Sequence, residues 1–322
     1  MYRHASEAGL VLPSGTDINQ PYDGHNLRGH LAEIADQSTM QGKVRGHVLL
    51  CPGFTEFCEK YSDVIKAFND RGYNVLAIDW PGQGMSGHLG RHRMAVHCDS
   101  FDQHIGAMDR LITAVGWQDR PVILFGHSMG GHLALRLCQH LRAQVQAAII
   151  LSPMIVPPVM PVWMVRLITQ TLVAAGFGRF YLPFKKPPTL DYIRQFRPHN
   201  LLSRDKAGYE SQFVWFDDNP ELRRSQPTAG WVRAAYESCA RTTLNKDWMA
   251  AVDCPVLGFE AGDERVVHKK SSDRMLACLP HLTRYEYDGA RHELLNETPD
   301  VVADIWTRID AFLGGRGQSR LK

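Results

Sequence analysis

The stretch VILFGHSMGGHLALRL, Val122 to Leu137, constrains this chain more than any other. An apolar run passes into a helical pattern through Gly126-His127-Ser128-Met129-Gly130, a G-x-S-x-G pattern set between a strand and a helix. A serine held on so sharp a turn is strained, and its neighbours two residues away on either side must lack bulk. The hydroxyl then projects above the sheet, beside the unpaired N–H groups and positive dipole end of the following helix. A tight turn with nothing attached is the plainer reading. The strand and helix flanks favour a nucleophile, and a serine nucleophile needs a base oriented by a third group.

The rest of the chain repeats the same grammar. GHVLLCPGF reads as a buried strand ending at Pro52-Gly53, and EKYSDVIKAFNDRG as a helix capped by Gly72. YNVLAIDWPGQGMSG is a strand running into a glycine-rich loop, SFDQHIGAMDRLITAVG a helix, and VQAAIILSPM a strand ending in Ser-Pro. Alternating strands and helices predict an α/β fold, a mostly parallel central sheet with helices on both faces. Ligands then sit beyond the carboxyl ends of the strands. The alternation stops near Ser152 and resumes at CPVLGFEAGDERVV. The expected organisation is 1–152 and 247–322 as the two parts of the core, with 153–246 a mostly helical insertion far longer than an ordinary loop. Residues 1–23 read as polar, turn-rich surface. Gly24–Asp36 is ambiguous, because Leu27, Leu31 and Ile34 have helical spacing between turn formers.

Composition narrows the class. With 322 residues, 44% apolar residues and a net charge of +2, the chain can bury a large core and carries no basic field for nucleic acid. Seven cysteines are scattered without a CxxC pair and read as reduced thiols, which fits the cytoplasm. The opening MYRHASEAGLVLPSG has no apolar h-region, and no stretch is apolar for the length of a membrane span.

In a fold of this kind the acid and the base follow the nucleophile in the order serine, acid, histidine. YDGARHELLNE supplies His292 in a loop after a predicted strand, and VLGFEAGDERVV places Asp263 in the loop after the preceding one. Ser128, Asp263 and His292 are therefore the predicted triad. Glu260 is expected to lie along its strand and Asp288 to shape a turn, while Glu264 differs from Asp263 by one position; Asp263 is favoured over all three. The oxyanion hole needs two backbone donors, assigned to Met129 N–H and to Phe54 N–H in the loop after Cys51. No metal or organic cofactor is required. His88, His92, His97 and His104 cluster without an acidic ligand pattern and read as surface histidines. A helix over Pro161–Gly176 carries Trp163, Met164, Leu167, Ile168 and Leu172; its stripe can touch a membrane surface transiently or pack on the body, and packing is favoured.

These residues resemble the α/β-hydrolases of the lysophospholipase and monoacylglycerol lipase group, classed with the S33-type serine aminopeptidases. The matching pieces are LLCPGFTEFCEKY, VLAIDWPGQGMSG, FGHSMGGHLALR, ILSPM, VLGFEAGDERVV and GARHELLNE. The resemblance implies an α/β-hydrolase fold, the same triad and oxyanion donors, a lid formed by the insertion over an acyl pocket, and a lipid ester as substrate. It also favours a strand over Gly24–Asp36. Where such enzymes commonly open the oxyanion loop with His-Gly, Cys51-Pro52-Gly53 stands here. Two rivals follow. A proline-type aminopeptidase or small-ester hydrolase would share the scaffold, the former needing lid acids such as Asp217, Asp218 and Glu221 for a free amine. A non-catalytic binding protein would keep the fold alone.

Overall fold

The computed structural model describes residues 11–34, 44–157, 161–182 and 188–317. The first ten residues and the end of the ambiguous Gly24–Asp36 segment lie outside them. The strands are β1 (Thr16–Tyr22), β2 (His25–Ala32), β3 (Gly46–Cys51), β4 (Tyr73–Ile78), β5 (Ala95–Val96), β6 (Val122–His127), β7 (Val145–Leu151), β8 (Gln226–Pro227), β9 (Val256–Ala261) and β10 (Leu282–Tyr287). Eight of them form one sheet in the order β1-β2-β4-β3-β6-β7-β9-β10, while β5 and β8 pair apart. From β4 to β10 every pairing is parallel, and β1 and β2 add an antiparallel edge.

Helices cover both faces, and strand alternation shows how. Leu49, Leu76, Leu124 and Ile150 point into one core with α2 (Asp102–Ala114), α3 (Met129–His140) and α7 (Ala229–Arg241). Their strand neighbours Leu50, Val75, Phe125 and Ile149 point into the other, with α1 (Ser62–Asp70) and α10 (Pro299–Gly317). A strand buried on both faces reads as a continuous apolar run, which is why the parallel strands were so visible in the sequence.

The edge hairpin was not. Thr16–Tyr22 is a strand of the main sheet rather than surface turn, and His25–Ala32 is the strand the resemblance favours, not a helix. In β2, Leu27, Arg28, Gly29 and His30 are all buried, so no period-two pattern marks it. Its polar members are carried by partners: Arg28 pairs with Asp79 at 3.0 Å and with Glu59 at 2.9 Å, and His30 meets Asp17 at 2.9 Å.

Between β7 and β9 the described residues are mostly helical apart from β8, with α4 (Val162–Ala174), α5 (Leu190–Arg194), α6 (Lys206–Asp218), α7 and α8 (Lys246–Ala250); α9 (Lys269–Leu276) follows β9. This stretch is not packed uniformly. Helix α7 buries Trp231, Ala235, Tyr236 and Cys239 in the main core, whereas α6 builds its own aromatic cluster of Tyr209, Phe213, Trp215 and Phe216 on Phe57. Helix α4 buries only Val165 and Thr169 and leaves Trp163, Met164, Leu167 and Ile168 exposed. The stripe expected to pack on the body faces outward instead. The histidine cluster also divides: His88 and His92 are exposed, but His97 and His104 are buried rather than on the surface.

Candidate active site

Ser128 stands at the turn between β6 and α3 with φ 55° and ψ −118°, a left-handed conformation that a serine adopts at a cost. The glycines around it are required by contact. A Cβ on Gly126 would lie 2.4 Å from the Gly130 carbonyl oxygen, and one on Gly130 would lie 1.8 Å from that of Cys51. The nucleophile helix therefore presses directly on the end of β3, where the oxyanion loop begins.

Ser128 Oγ and His292 Nε2 are 2.8 Å apart, both buried. His292 Nδ1 is 2.8 Å from Glu264 Oε2, not from Asp263. The acid position thus moves by one residue from the sequence expectation. Asp263 turns away: its N–H donates to the Ala290 carbonyl at 2.9 Å, and its carboxylate takes Arg265 Nε at 2.7 Å and lies 3.8 Å from Arg291. Glu264 is fixed from both sides, its Oε1 accepting the N–H groups of Val266 at 2.7 Å and Val267 at 3.1 Å. Burial alone would raise the Glu264 carboxyl, but His292 and these two N–H groups outweigh it and hold it below its ordinary value. Glu260 is buried along β9 against Arg284, as expected.

Met129 is the first residue of α3, so its N–H has no intrahelical acceptor. The Phe54 loop lies against it, tied by side chains from elsewhere. Trp80 Nε1 donates to the Pro52 carbonyl at 2.8 Å, and Gln83 accepts Thr55 N–H at 2.7 Å and donates to the Gly53 carbonyl at 3.3 Å. Thr55 holds φ 65°, and the Phe54 ring packs on Trp231 at 4.5 Å. The Asp79 carboxylate behind the loop is fully buried and accepts Cys58 N–H and Met85 N–H, both at 2.8 Å. The stretch DWPGQGMS thus braces the loop of Pro52 to Thr55.

Sequence reasoning missed a buried charged group behind this loop. Glu56, Lys60, His127 and Glu293 are buried together, with Lys60 Nζ 2.9 Å from Glu56 and 2.7 Å from Glu293. The Glu56–Lys60 spacing of one helical turn was its only local signal. Among the described residues, the one acidic trio close enough to hold a metal is Glu260, Asp273 and Glu286, and Arg284 and Lys269 already neutralise it.

Residues 42–299 match the family described as "Serine aminopeptidase, S33". The chain belongs to this family. Among its relatives, phospholipase YtpA of Bacillus subtilis is 26% identical over 78% of this chain and 88% of its own length. Lysophospholipase L2 of Escherichia coli K12 is 27% identical over 84% of this chain and 82% of its own. A soluble variant of monoglyceride lipase from Saccharomyces cerevisiae, solved with a substrate analogue, superposes with a TM-score of 0.72 at 18% identity, over 94% of this chain and 95% of that one. The fold is the α/β-hydrolase fold, and the family member described here is a hydrolase of that fold.

Proposed function

We propose that the protein is a serine hydrolase of carboxylic esters whose substrates are lipids with one acyl chain, a lysophospholipid or a monoacylglycerol. The observation that carries this is the continuous chain from Glu264 through His292 to Ser128, with 2.8 Å at each step. His292 takes the Ser128 proton as Oγ attacks the ester carbonyl, and Glu264 holds the imidazole in the tautomer that accepts it. The oxyanion rests on the N–H groups of Met129 and Phe54. His292 then protonates the leaving alcohol and activates the water that releases the fatty acid. The lipid substrate is taken from the relatives' names, which span a phospholipase and a lysophospholipase.

Two of the three acids an aminopeptidase would aim at a free amine are engaged by arginines. Asp217 is clamped by Arg194, and Glu221 pairs with Arg93 at 2.7 Å. That favours an ester over an N-terminal peptide. Residues 153–246 act in this reading as the lid over the acyl pocket, and the outward stripe of α4 rests on the membrane surface from which the substrate comes. No helix among the described residues is long and apolar enough to cross a membrane. None of the seven cysteines is in a disulfide, which fits the reducing cytoplasm as the compartment.

The test compares fatty-acid release from lysophosphatidylcholine and from a monoacylglycerol with cleavage of a prolyl-naphthylamide, alongside labelling by a fluorophosphonate. Ester turnover with the label on Ser128 is the expected result. Cleavage of the amide in preference to both esters, or folded protein that neither turns over esters nor takes the label, would overturn the proposal.

A further inference from the structure

His127 sits beside the nucleophile, yet the triad does not use it. Its ring is buried between two loops that the reaction needs. Nδ1 lies 3.3 Å from both carboxylate oxygens of Glu56, and Nε2 lies 3.1 Å from the backbone carbonyl of His292. A carbonyl only accepts, so Nε2 must carry a proton. Glu56 is in the same position: its carboxylate already receives Gly53 N–H, Lys60 Nζ and Tyr61 O–H, so it has no proton to give. Both ring nitrogens therefore donate, which only the imidazolium can do.

We propose that His127 is a positioning residue that works as a buried imidazolium, tying the oxyanion loop to the loop of the catalytic base, and that the enzyme loses activity on the alkaline side as this ring gives up its proton. One end of the tie is Glu56, which holds the Gly53 N–H one residue before Phe54. The other is the carbonyl of the base residue itself. The charges close: Glu56 and Glu293 against Lys60 and His127. Among the described residues, the charged groups acting on the ring are Glu56, Glu293 and Lys60, with Tyr61 beside Glu56, the His292 ring 4.9 Å away and Asp63 lining the same cavity.

The electrostatics agree with the geometry. Burial alone would lower His127, but Glu56 and Glu293 overcome both that and the opposing Lys60, and the ring lies above its ordinary value. Burial would likewise raise Glu56, yet Lys60 and His127 hold it well below the usual carboxylate range. A histidine raised in this way keeps its tie at and below its ordinary value and loses it as pH climbs through the raised one. A cavity of about 60 Å³ is lined by Glu56, Lys60, His127 and Glu293.

The proposal rests on the ester-hydrolase reading for its activity readout only. The experiment follows kcat and KM for p-nitrophenyl butyrate against pH in the wild type and in His127→Gln, and records the ring nitrogens of His127 in the ¹⁵N-labelled wild type. The expected NMR result is a doubly protonated ring at neutral pH that titrates on the alkaline side, in step with the fall in kcat. In His127→Gln, kcat should drop by about tenfold at neutral pH with little change in KM, because the donors to the oxyanion are slightly misplaced, and the alkaline limb should disappear. A singly protonated His127 ring at neutral pH overturns the proposal, as does an unchanged alkaline limb in folded His127→Gln. The wild-type spectrum decides the matter if the variant does not fold. A protein inactive on esters whose His127 is doubly protonated would instead break the hydrolase reading and leave the buried imidazolium standing.

Discussion

Two regions of the molecule are held in opposite ways. At the carboxyl ends of β3 and β9 the loops are tied at several points: Trp80 on Pro52 and Gln83 on Gly53 and Thr55 reach across from the loop after β4, while Glu56 on Gly53 and Val266 and Val267 on Glu264 act within their own loops. Helix α4, by contrast, buries two side chains and leaves four large apolar ones exposed. The difference teaches where precision is needed. Transition-state stabilisation fails when donors move by an ångström, so the strand-end loops are over-determined. Contact with a fluid lipid surface asks only for apolar area on the right side.

If the strand-end loops carry the chemistry, the largest effect comes from removing the nucleophile. Ser128→Ala should lower ester turnover by about 10⁶-fold and abolish fluorophosphonate labelling, with the thermal melt little changed. Turnover retained in the folded variant would place the chemistry elsewhere. The adjacent acids sharpen the point. Glu264→Gln should cost about 10³- to 10⁴-fold in kcat, since the amide no longer fixes the histidine tautomer. Asp263→Asn removes an exposed pairing with Arg265 and a longer, half-buried one with Arg291, and should leave kcat within about threefold. Reversed outcomes in that pair would restore Asp263 as the acid.

That pair also marks how far the sequence could be read. Motif order and loop position named Ser128 and His292, which stand 2.8 Å apart, and an acid one residue from Glu264, the carboxylate that meets His292. Which of two neighbouring carboxylates faces the base depends on Ala290, Arg291 and the Val266 and Val267 N–H groups, which are set by how loops meet in space rather than by spacing along the chain. The edge hairpin was missed for a related reason, because β2 buries Arg28 and His30 through ion pairs with Asp79 and Asp17 that a hydropathy pattern cannot show. His104 was legible in principle. It precedes Met108 and Leu111 by four and seven residues on the buried face of α2, so its helix phase predicted burial where its cluster suggested the surface.

The close approach of α3 to the oxyanion loop gives a third, smaller effect. Gly130→Ala drives a methyl group into the carbonyls of Cys51 and Pro52, at 1.8 and 2.5 Å, and backbone cannot yield as a flexible side chain does. A loss of at least ~3 kcal/mol is expected in denaturant unfolding, with activity lost in whatever protein folds. Gly87→Ala is the control for general glycine effects: it has open space around its Cβ position and φ 81°, so it meets backbone strain without a clash and should cost only ~1 kcal/mol. Equal costs at the two sites would mean that contact with the oxyanion loop is not what Gly130 serves.

The smallest effect is expected on α4, and it tests the other half of the comparison. Trp163 and Leu167 are 68% and 57% exposed and stand one helical turn apart, on a helix whose inner face is held by Val165 and Thr169. Replacing both with serine removes apolar area from the outside and leaves those inner contacts in place, so the fold should not suffer. If the stripe rests on lipid, each side chain contributes no more than ~1–2 kcal/mol of insertion, because neither leaves water completely. Hydrolysis of a monoacylglycerol carried in phosphatidylcholine vesicles should then fall about tenfold, with weaker vesicle co-sedimentation, while turnover of soluble p-nitrophenyl butyrate stays within about twofold. Equal losses on the two substrates would tie α4 to the strand-end machinery, and no loss on either would leave its exposed stripe without a lipid role.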